Sequence, residues 1–216
     1  TQSSAAQQQN AVRNDLPQPY RTTRDWGQLP PGVAWAAGTA VEPAPDGIIY
    51  VVHRCFENSC AGRKEAPVLK YDRNGKLLAS WGEGMFIFPH GATVDRDGNL
   101  WVTDARGEKD KGHQVFKFNA DGKVLMTLGK AGVSGSGADL FDQPTDVLVA
   151  PDGTIFVTDS HRNGKNNRVV KLTVAALGGL RVTVKTALFV PVAGSRTATS
   201  STLKPATSSL TMVPIP

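Results

Sequence analysis

Apolar residues along the chain fall into short blocks rich in β-branched and aromatic side chains, with no sustained helical rhythm. Each block is bounded by a turn doublet. Asp46-Gly47 precedes Ile48-Ile49-Tyr50-Val51-Val52, Val68-Leu69-Lys70-Tyr71 leads into Asn74-Gly75, and Leu77 to Gly82 comes next. The order recurs as Asp97-Gly98 with Leu100-Trp101-Val102-Thr103-Asp104, Val115-Phe116-Lys117-Phe118, Asp121-Gly122 and Val124 to Gly129. A third copy runs Asp152-Gly153, Ile155-Phe156-Val157-Thr158-Asp159 and Arg168-Val169-Val170-Lys171-Leu172.

The first glycine of each copy stands at 47, 98 and 153, spacings of 51 and 55, and the second at 75 and 122, a spacing of 47. Asp-Gly and Asn-Gly supply the positive φ that tight hairpins need, so each copy predicts a small antiparallel sheet. One such sheet cannot cover both its faces. It must stack on its neighbours around an axis, as the blades of a β-propeller do, with strand ends and blade-joining loops forming a mouth. The pattern predicts an all-β fold with about three blades in residues 32–172. An N-terminal arm covers 1–31, polar and broken by Pro17, Pro19 and Pro30, and is expected to be flexible and to lie along the domain edge.

The third copy halts after Leu172, where the first two continue into an Asn-Gly or Asp-Gly turn. Residues 173–216 are a mixture of Ser, Thr, Ala, Val and Pro without a single Asp or Glu. Loss of the repeat and a change of composition at one place point to a shifted reading frame or a fused, non-homologous tail. A genuine low-complexity linker or surface stalk is the alternative. Three blades cannot close a ring, and an exposed apolar blade face predicts self-association.

The formal charge of +5 also divides at this point. All nineteen acidic residues lie at or before Asp159, and Arg181, Lys185, Arg196 and Lys204 carry most of the excess. The repeat region is close to neutral and lacks clustered bases with stacking aromatics, which excludes a nucleic-acid partner. No run of about 18 apolar residues encodes a membrane span. The Gln-rich stretch Gln2 to Asn10, without an initiating Met, reads as the start of a mature chain from which a signal peptide has been removed, or as a trimmed sequence. Cys55 and Cys60 either close a small loop, which suits a secreted or periplasmic protein, or stand as two reduced thiols.

Candidate chemistry gathers at predicted strand ends. Arg54, closing Val52-His53-Arg54 at the end of an inner strand, is placed to grip a carboxylate bidentately, or else pairs with Glu57 or Glu65. Phe88-Pro89-His90-Gly91 enters the second copy, with Pro fixing the approach and Gly admitting close backbone. His90 there is a metal ligand, an acid/base group or a hydrogen-bonded structural residue. In the third copy Thr145 replaces it. The loop Thr158 to Arg168, between the two strands nearest the axis, offers His161 as acid/base and Arg162 or Arg168 as anion partner, or is a solvated hairpin. His113, beside the charged run Glu108 to Lys111, is expected to be exposed and inert.

Val-His-Arg at 52–54, Phe-Pro-His-Gly at 88–91 leading to Asp97-Gly-Asn-Leu-Trp-Val-Thr-Asp104, His-Gln-Val-Phe-Lys-Phe at 113–118 and Gln-Pro-Thr-Asp-Val at 143–147 resemble the NHL-repeat β-propellers. Within that group they resemble the peptidyl-α-hydroxyglycine α-amidating lyases and their bacterial relatives. The resemblance implies a six-bladed propeller with zinc on three His, a structural calcium near the axis, an Arg that binds the substrate carboxylate, and a Tyr that takes a proton. The carbon–nitrogen bond of a hydroxyglycine peptide then breaks to amide and glyoxylate. It assigns Arg54 to the carboxylate, with Arg168 as a second substrate contact, His90 to zinc and the Ala92 carbonyl to calcium. His161 stands where the Tyr belongs, and the other zinc ligands belong to later blades. The chain is therefore expected to be an incomplete, inactive lyase-like propeller; the alternative is a non-catalytic propeller that binds a peptide or small carboxylate.

Overall fold

The computed structural model describes residues 17, 19–161 and 164–173, with the backbone of 181–183, 185–188 and 209–211. Three four-stranded antiparallel sheets succeed one another. The first holds β1 (Gly38–Pro43), β2 (Ile49–His53), β3 (Val68–Tyr71) and β4 (Leu77–Trp81) in sequence order. The second holds β5 (Pro89–Val94), β6 (Leu100–Glu108), β7 (Lys111–Phe118) and β8 (Val124–Leu128). The third is built from β9 (Pro144–Val149), β10 (Ile155–Asp159) and β11 (Arg168–Leu172). Its fourth strand comes from beyond the point where the sequence repeat fails: after β12 (Arg181–Thr183), β13 (Lys185–Leu188) pairs with β11, while β12 pairs with β14 (Ser209–Thr211). The remainder of the proposed tail lies outside the described residues.

The hairpin turns show why the doublets recur. In each, the glycine N–H donates to the carbonyl three residues earlier, as Gly98 does to Asp95 and Gly153 to Ala150, and both glycines have φ 81. This is a type I turn closed by a left-handed residue, a conformation that glycine adopts without steric cost.

Alternation along the strands sends neighbouring residues to opposite faces, and in the first two blades both faces are covered. Tyr50 and Val52 of the first blade meet Leu100, Val102, Phe116 and Phe118 of the second. Trp101 and Val115, on the second blade's other face, meet Val147, Ile155, Val157 and Val170 of the third. That double burial explains why the strands read as apolar runs. The first strands pack in succession, β1 against β5 and β5 against β9. Gly91 permits the approach of β5 to β9, since a Cβ there would collide with the Thr145 carbonyl and the Asp146 side chain. Arg54 and the 159–168 loop therefore sit at second-strand ends, one strand farther from the axis than the sequence implied.

The first blade's outer face is covered by the arm. Trp26 and Leu29 pack on Val51, Leu69 and Tyr71. Gln28 N–H donates to the Gly75 carbonyl at 2.9 Å, and the Tyr71 hydroxyl donates to the Gln28 carbonyl at 2.8 Å. From Trp26 to Leu29 the arm thus lies as a strap along the first blade.

Candidate functional site

The mouth is organised by the last residue of each repeated block. Asp104 is fully buried, and its carboxylate accepts the Ile87 N–H at 2.9 Å and the Phe88 N–H at 2.5 Å. Burial pushes its pKa up to about 7, against the lowering effect of those two N–H groups. Ala105 N–H returns a bond to the Phe88 carbonyl at 3.0 Å, so the loop carrying Phe88, Pro89 and His90 is stapled to β6. Asp159 holds the corresponding position in the third blade, accepting the Asp142 N–H at 2.7 Å. In the first blade the position is His53, buried, with Nε2 3.2 Å from the Ala66 carbonyl and a pKa lowered by burial. The anchoring function of these positions was not drawn from the sequence, although the repeated Val-Thr-Asp ending carried the signal.

Phe88 is the floor on which the polar groups meet. The Arg54 guanidinium carbon lies 3.5 Å from its ring centroid and that of Arg106 lies 3.8 Å away. Arg54 donates from Nε to the Pro89 carbonyl at 3.2 Å and from a terminal nitrogen to Asn58 Oδ1, rather than pairing with Glu57 or Glu65. Glu65 is held by Arg63, whose Nε lies 3.1 Å from its carboxylate. Burial and then the neighbouring Arg106 lower the Arg54 pKa to about 10, leaving it a cation at neutral pH.

His90 and His161, from different blades, face each other with ring centroids 5.1 Å apart and planes at 76°, and His161 also meets Phe88 edge-on at 5.9 Å. Burial first, then the positive charge of Arg54, holds the His90 pKa below its ordinary value. The structure thus brings Arg54, His90 and His161 together and adds Arg106. Arg162 lies outside the described residues.

Arg168 is elsewhere. It is 8% exposed, and its Nε donates to Asp159 at 3.0 Å while the terminal nitrogens donate to the carbonyls of Ser136 at 2.7 Å and Leu140 at 2.8 Å. With its donors so engaged it anchors the loop and is not presented to a ligand, contrary to its expected role as an anion partner. His113 is likewise not exposed: it is half-buried in left-handed backbone (φ 56), its pKa lowered by burial. Ala92 lines an axial cleft of about 410 Å3 together with Glu42, His90, Thr145 and Asp146. Burial raises the Glu42 pKa, and Asp146 raises it further against a backbone hydrogen bond at Val94. Among the described residues no group of three His, Cys, Asp or Glu is placed to hold a metal ion. Cys55 and Cys60 are joined in a disulfide. No described helix is long and apolar enough to cross a membrane.

No family model matches the chain. Among curated proteins, it is 37% identical over 157 residues to peptidyl-glycine alpha-amidating monooxygenase B of Xenopus laevis, covering 65% of this chain and 17% of that protein. It is 36% identical over 114 residues to the probable peptidyl-alpha-hydroxyglycine alpha-amidating lyase pgal-1 of Caenorhabditis elegans, covering 52% and 31%. A mouse protein named NHL repeat-containing protein 3 is 32% identical over 133 residues, covering 59% and 35%. The chain thus spans about a third or less of the length of these relatives. A solved structure of virginiamycin B lyase from Staphylococcus aureus overlays with a TM-score of 0.43 at 13% identity, covering 68% of this chain and 48% of that one, too loosely to bear on function. Three stacked four-stranded blades, the Val-His-Arg and Pro-His-Gly mouth motifs and these relatives make the chain an all-β chain of propeller blades that resembles the NHL-repeat propellers and, among them, the peptidyl-α-hydroxyglycine α-amidating lyases.

Proposed function

We propose that the mouth recognises the terminal carboxylate of a peptide, as the binding half of an amidating-lyase-like site. One observation carries this: Arg54 is a half-buried guanidinium seated on Phe88 and fixed through Pro89 and Asn58, with no ion-pair partner among the described residues. A cation held this way in a concave, partly desolvated mouth attracts an anion more strongly than a surface arginine does. The relatives' names supply the peptide: peptidyl-α-hydroxyglycine ends in a carboxylate. The Cys55–Cys60 disulfide supports a secreted or periplasmic setting.

Calorimetric titration tests the proposal. N-acetyl-Ala-Gly should bind the full chain, its C-terminal amide should bind at least tenfold more weakly, and Arg54→Gln should abolish the difference. Equal affinity for acid and amide would overturn the assignment.

A second reading, that the mouth also breaks the carbon–nitrogen bond, is favoured by the His90–His161 pair. There His161 would accept the hydroxyl proton of the bound hydroxyglycine, the carbonyl of glyoxylate would form as the C–N bond breaks, and the departing amide nitrogen would gain a proton. The two imidazoles do not make a zinc centre by themselves, because a catalytic zinc takes three protein ligands, and no step here is routed through one. Glyoxylate release that His161→Ala abolishes would support this second reading. Binding without release would leave the first.

A further inference from the structure

The second guanidinium of the mouth, Arg106, has no counterpart among the motifs that carry the resemblance. It sits where β6 runs past the Asp104 anchor. A register irregularity falls between Asp104 and Gly107, and beyond it the β6–β7 hairpin continues with Gly107 opposite Gly112 and Glu108 opposite Lys111. The extension is held in place. Gly112 (φ 82) packs so tightly that a Cβ would strike the Arg106 carbonyl, and the Gly112 carbonyl accepts the Gly132 N–H at 3.1 Å. Lys111 Nζ donates to the Gly84 carbonyl at 2.5 Å. An ordered extension therefore delivers Arg106 to Phe88.

Arg54 and Arg106 share that one ring, so their guanidinium carbons are no farther apart than the sum of 3.5 and 3.8 Å. Two like charges at such a separation repel, and Arg106 accordingly depresses Arg54. The flanking imidazole of His90, held toward the neutral form first by burial, is pushed further that way by both arginines. Among the described residues no carboxylate forms an ion pair with either arginine. The unrelieved pair is relieved by a ligand that brings two anionic groups.

Resting on the proposal that Arg54 takes a terminal carboxylate, we infer that Arg106 forms a second anion subsite, and that the preferred ligand carries two carboxylates within reach of one another. The second carboxylate belongs either to an acidic side chain beside a peptide's terminal residue or to a small dicarboxylate. Arg106 is then the specificity-determining residue of the mouth.

The test titrates the full chain with N-acetyl-Ala-Glu-Gly, N-acetyl-Ala-Gln-Gly and glutarate. The Glu peptide should bind about tenfold more tightly than the Gln peptide, the size of one charge-assisted hydrogen bond in a partly exposed site. Arg106→Gln should bring that ratio close to one and Arg106→Lys should leave part of it. Arg96→Gln, at the Asp95–Gly98 turn of the β5–β6 hairpin, makes the same charge change and should leave the ratio intact. A ratio of one in the unaltered chain, or one unmoved by Arg106→Gln, would overturn the peptide form. Glutarate separates the two proposals. If neither peptide binds but glutarate does, and both Arg54→Gln and Arg106→Gln weaken it, the two-arginine subsite stands and the peptide assignment falls. If glutarate binding ignores Arg106 and the peptides show no Glu preference, the subsite falls while terminal-carboxylate binding at Arg54 survives.

Discussion

The second and third blades repeat the same strand order and nearly the same words, yet only one of them presents a mouth imidazole from its first strand. Val-Thr-Asp recurs in the second strand of each. In the second blade Asp104 commits both carboxylate oxygens to the backbone of the loop that carries His90. In the third blade Asp159 gives one oxygen to the incoming loop and the other to Arg168 and Asn166, at 3.0 and 2.7 Å, and Thr145 stands in place of His90. The blades differ also in what covers them. Trp101, 2% exposed, is sealed under the third blade, while its counterpart Phe156 is half-buried and neighbouring Leu148 is 58% exposed. Lys117 lies over Trp101 at 5.2 Å and Lys171 over Phe156 at 5.7 Å, so the face is built to one plan whether or not it is covered. A repeat fixes the scaffold; one or two non-repeated residues decide what each copy does.

The sharpest way to break this comparison is to truncate the equivalent aromatics. Trp101→Ala removes a sealed side chain and leaves Asp95 without its indole donor at 3.0 Å, so it should cost about 4 kcal/mol. Phe156→Ala should cost about 1 kcal/mol. Urea midpoints at unchanged m-value check both, and equal losses would mean the two faces are equally covered. Next in size, Arg168→Ala strips a buried carboxylate and several carbonyls of their partner and should cost about 3 kcal/mol, with the loss in the unfolding midpoint. If Arg168 were a ligand-binding group instead, stability would be nearly unchanged while carboxylate affinity fell.

The sequence made the blades legible because hairpin glycines and doubly buried strands leave signals that depend only on local geometry. Arg54 and His90 were legible as mouth residues because they close or enter strands. Three other features were not. Arg106 lies in a hairpin extension that departs from the repeat, and only the tight packing of Gly112 and Gly132 shows that the extension is ordered. Arg168 has the residue type of an anion binder, but its role is set by carbonyls from Ser136 and Leu140, about thirty positions away. The arm reads as a flexible segment along the domain edge because it is polar and Pro-rich, and its partner on the blade is not legible. Its docking depends on Trp26 meeting Tyr71, with ring centroids 5.3 Å apart, a contact between residues far apart in the chain.

A smaller effect probes the Asp104 anchor by pH. The folded pKa of Asp104, about 7, lies above the unfolded carboxylate value, so the native state binds the extra proton. Its contribution to stability is complete below the unfolded value of about 4 and is lost as pH rises through 7. His53, His90 and His113, all lowered by burial, act in the opposite sense, since the unfolded chain then binds the extra proton as pH falls. The difference between wild type and Asp104→Asn isolates the aspartate: stability of the wild type relative to the variant should decline from pH 4 to pH 7. A flat difference would show that Asp104 titrates as an ordinary carboxylate and that its two N–H donors outweigh its burial.

The smallest expected change in stability belongs to Leu148→Lys, which alters an exposed position on the third blade and should shift the midpoint by less than about 0.5 kcal/mol. Its effect on association is expected to be larger. Leu148 sits opposite Phe156 in the β9–β10 pairing, and Phe156 sits opposite Lys171. The second blade's matching row is covered by Val147, Ile155, Val157 and Val170 of the third blade, and the first blade's outer face by Trp26 and Leu29 of the arm. The third blade's row should therefore draw two chains together, so that the sedimentation coefficient rises with concentration and a Lys at 148 suppresses the rise. A coefficient independent of concentration in the unaltered chain would show that the row, though built like an interface, is left facing solvent.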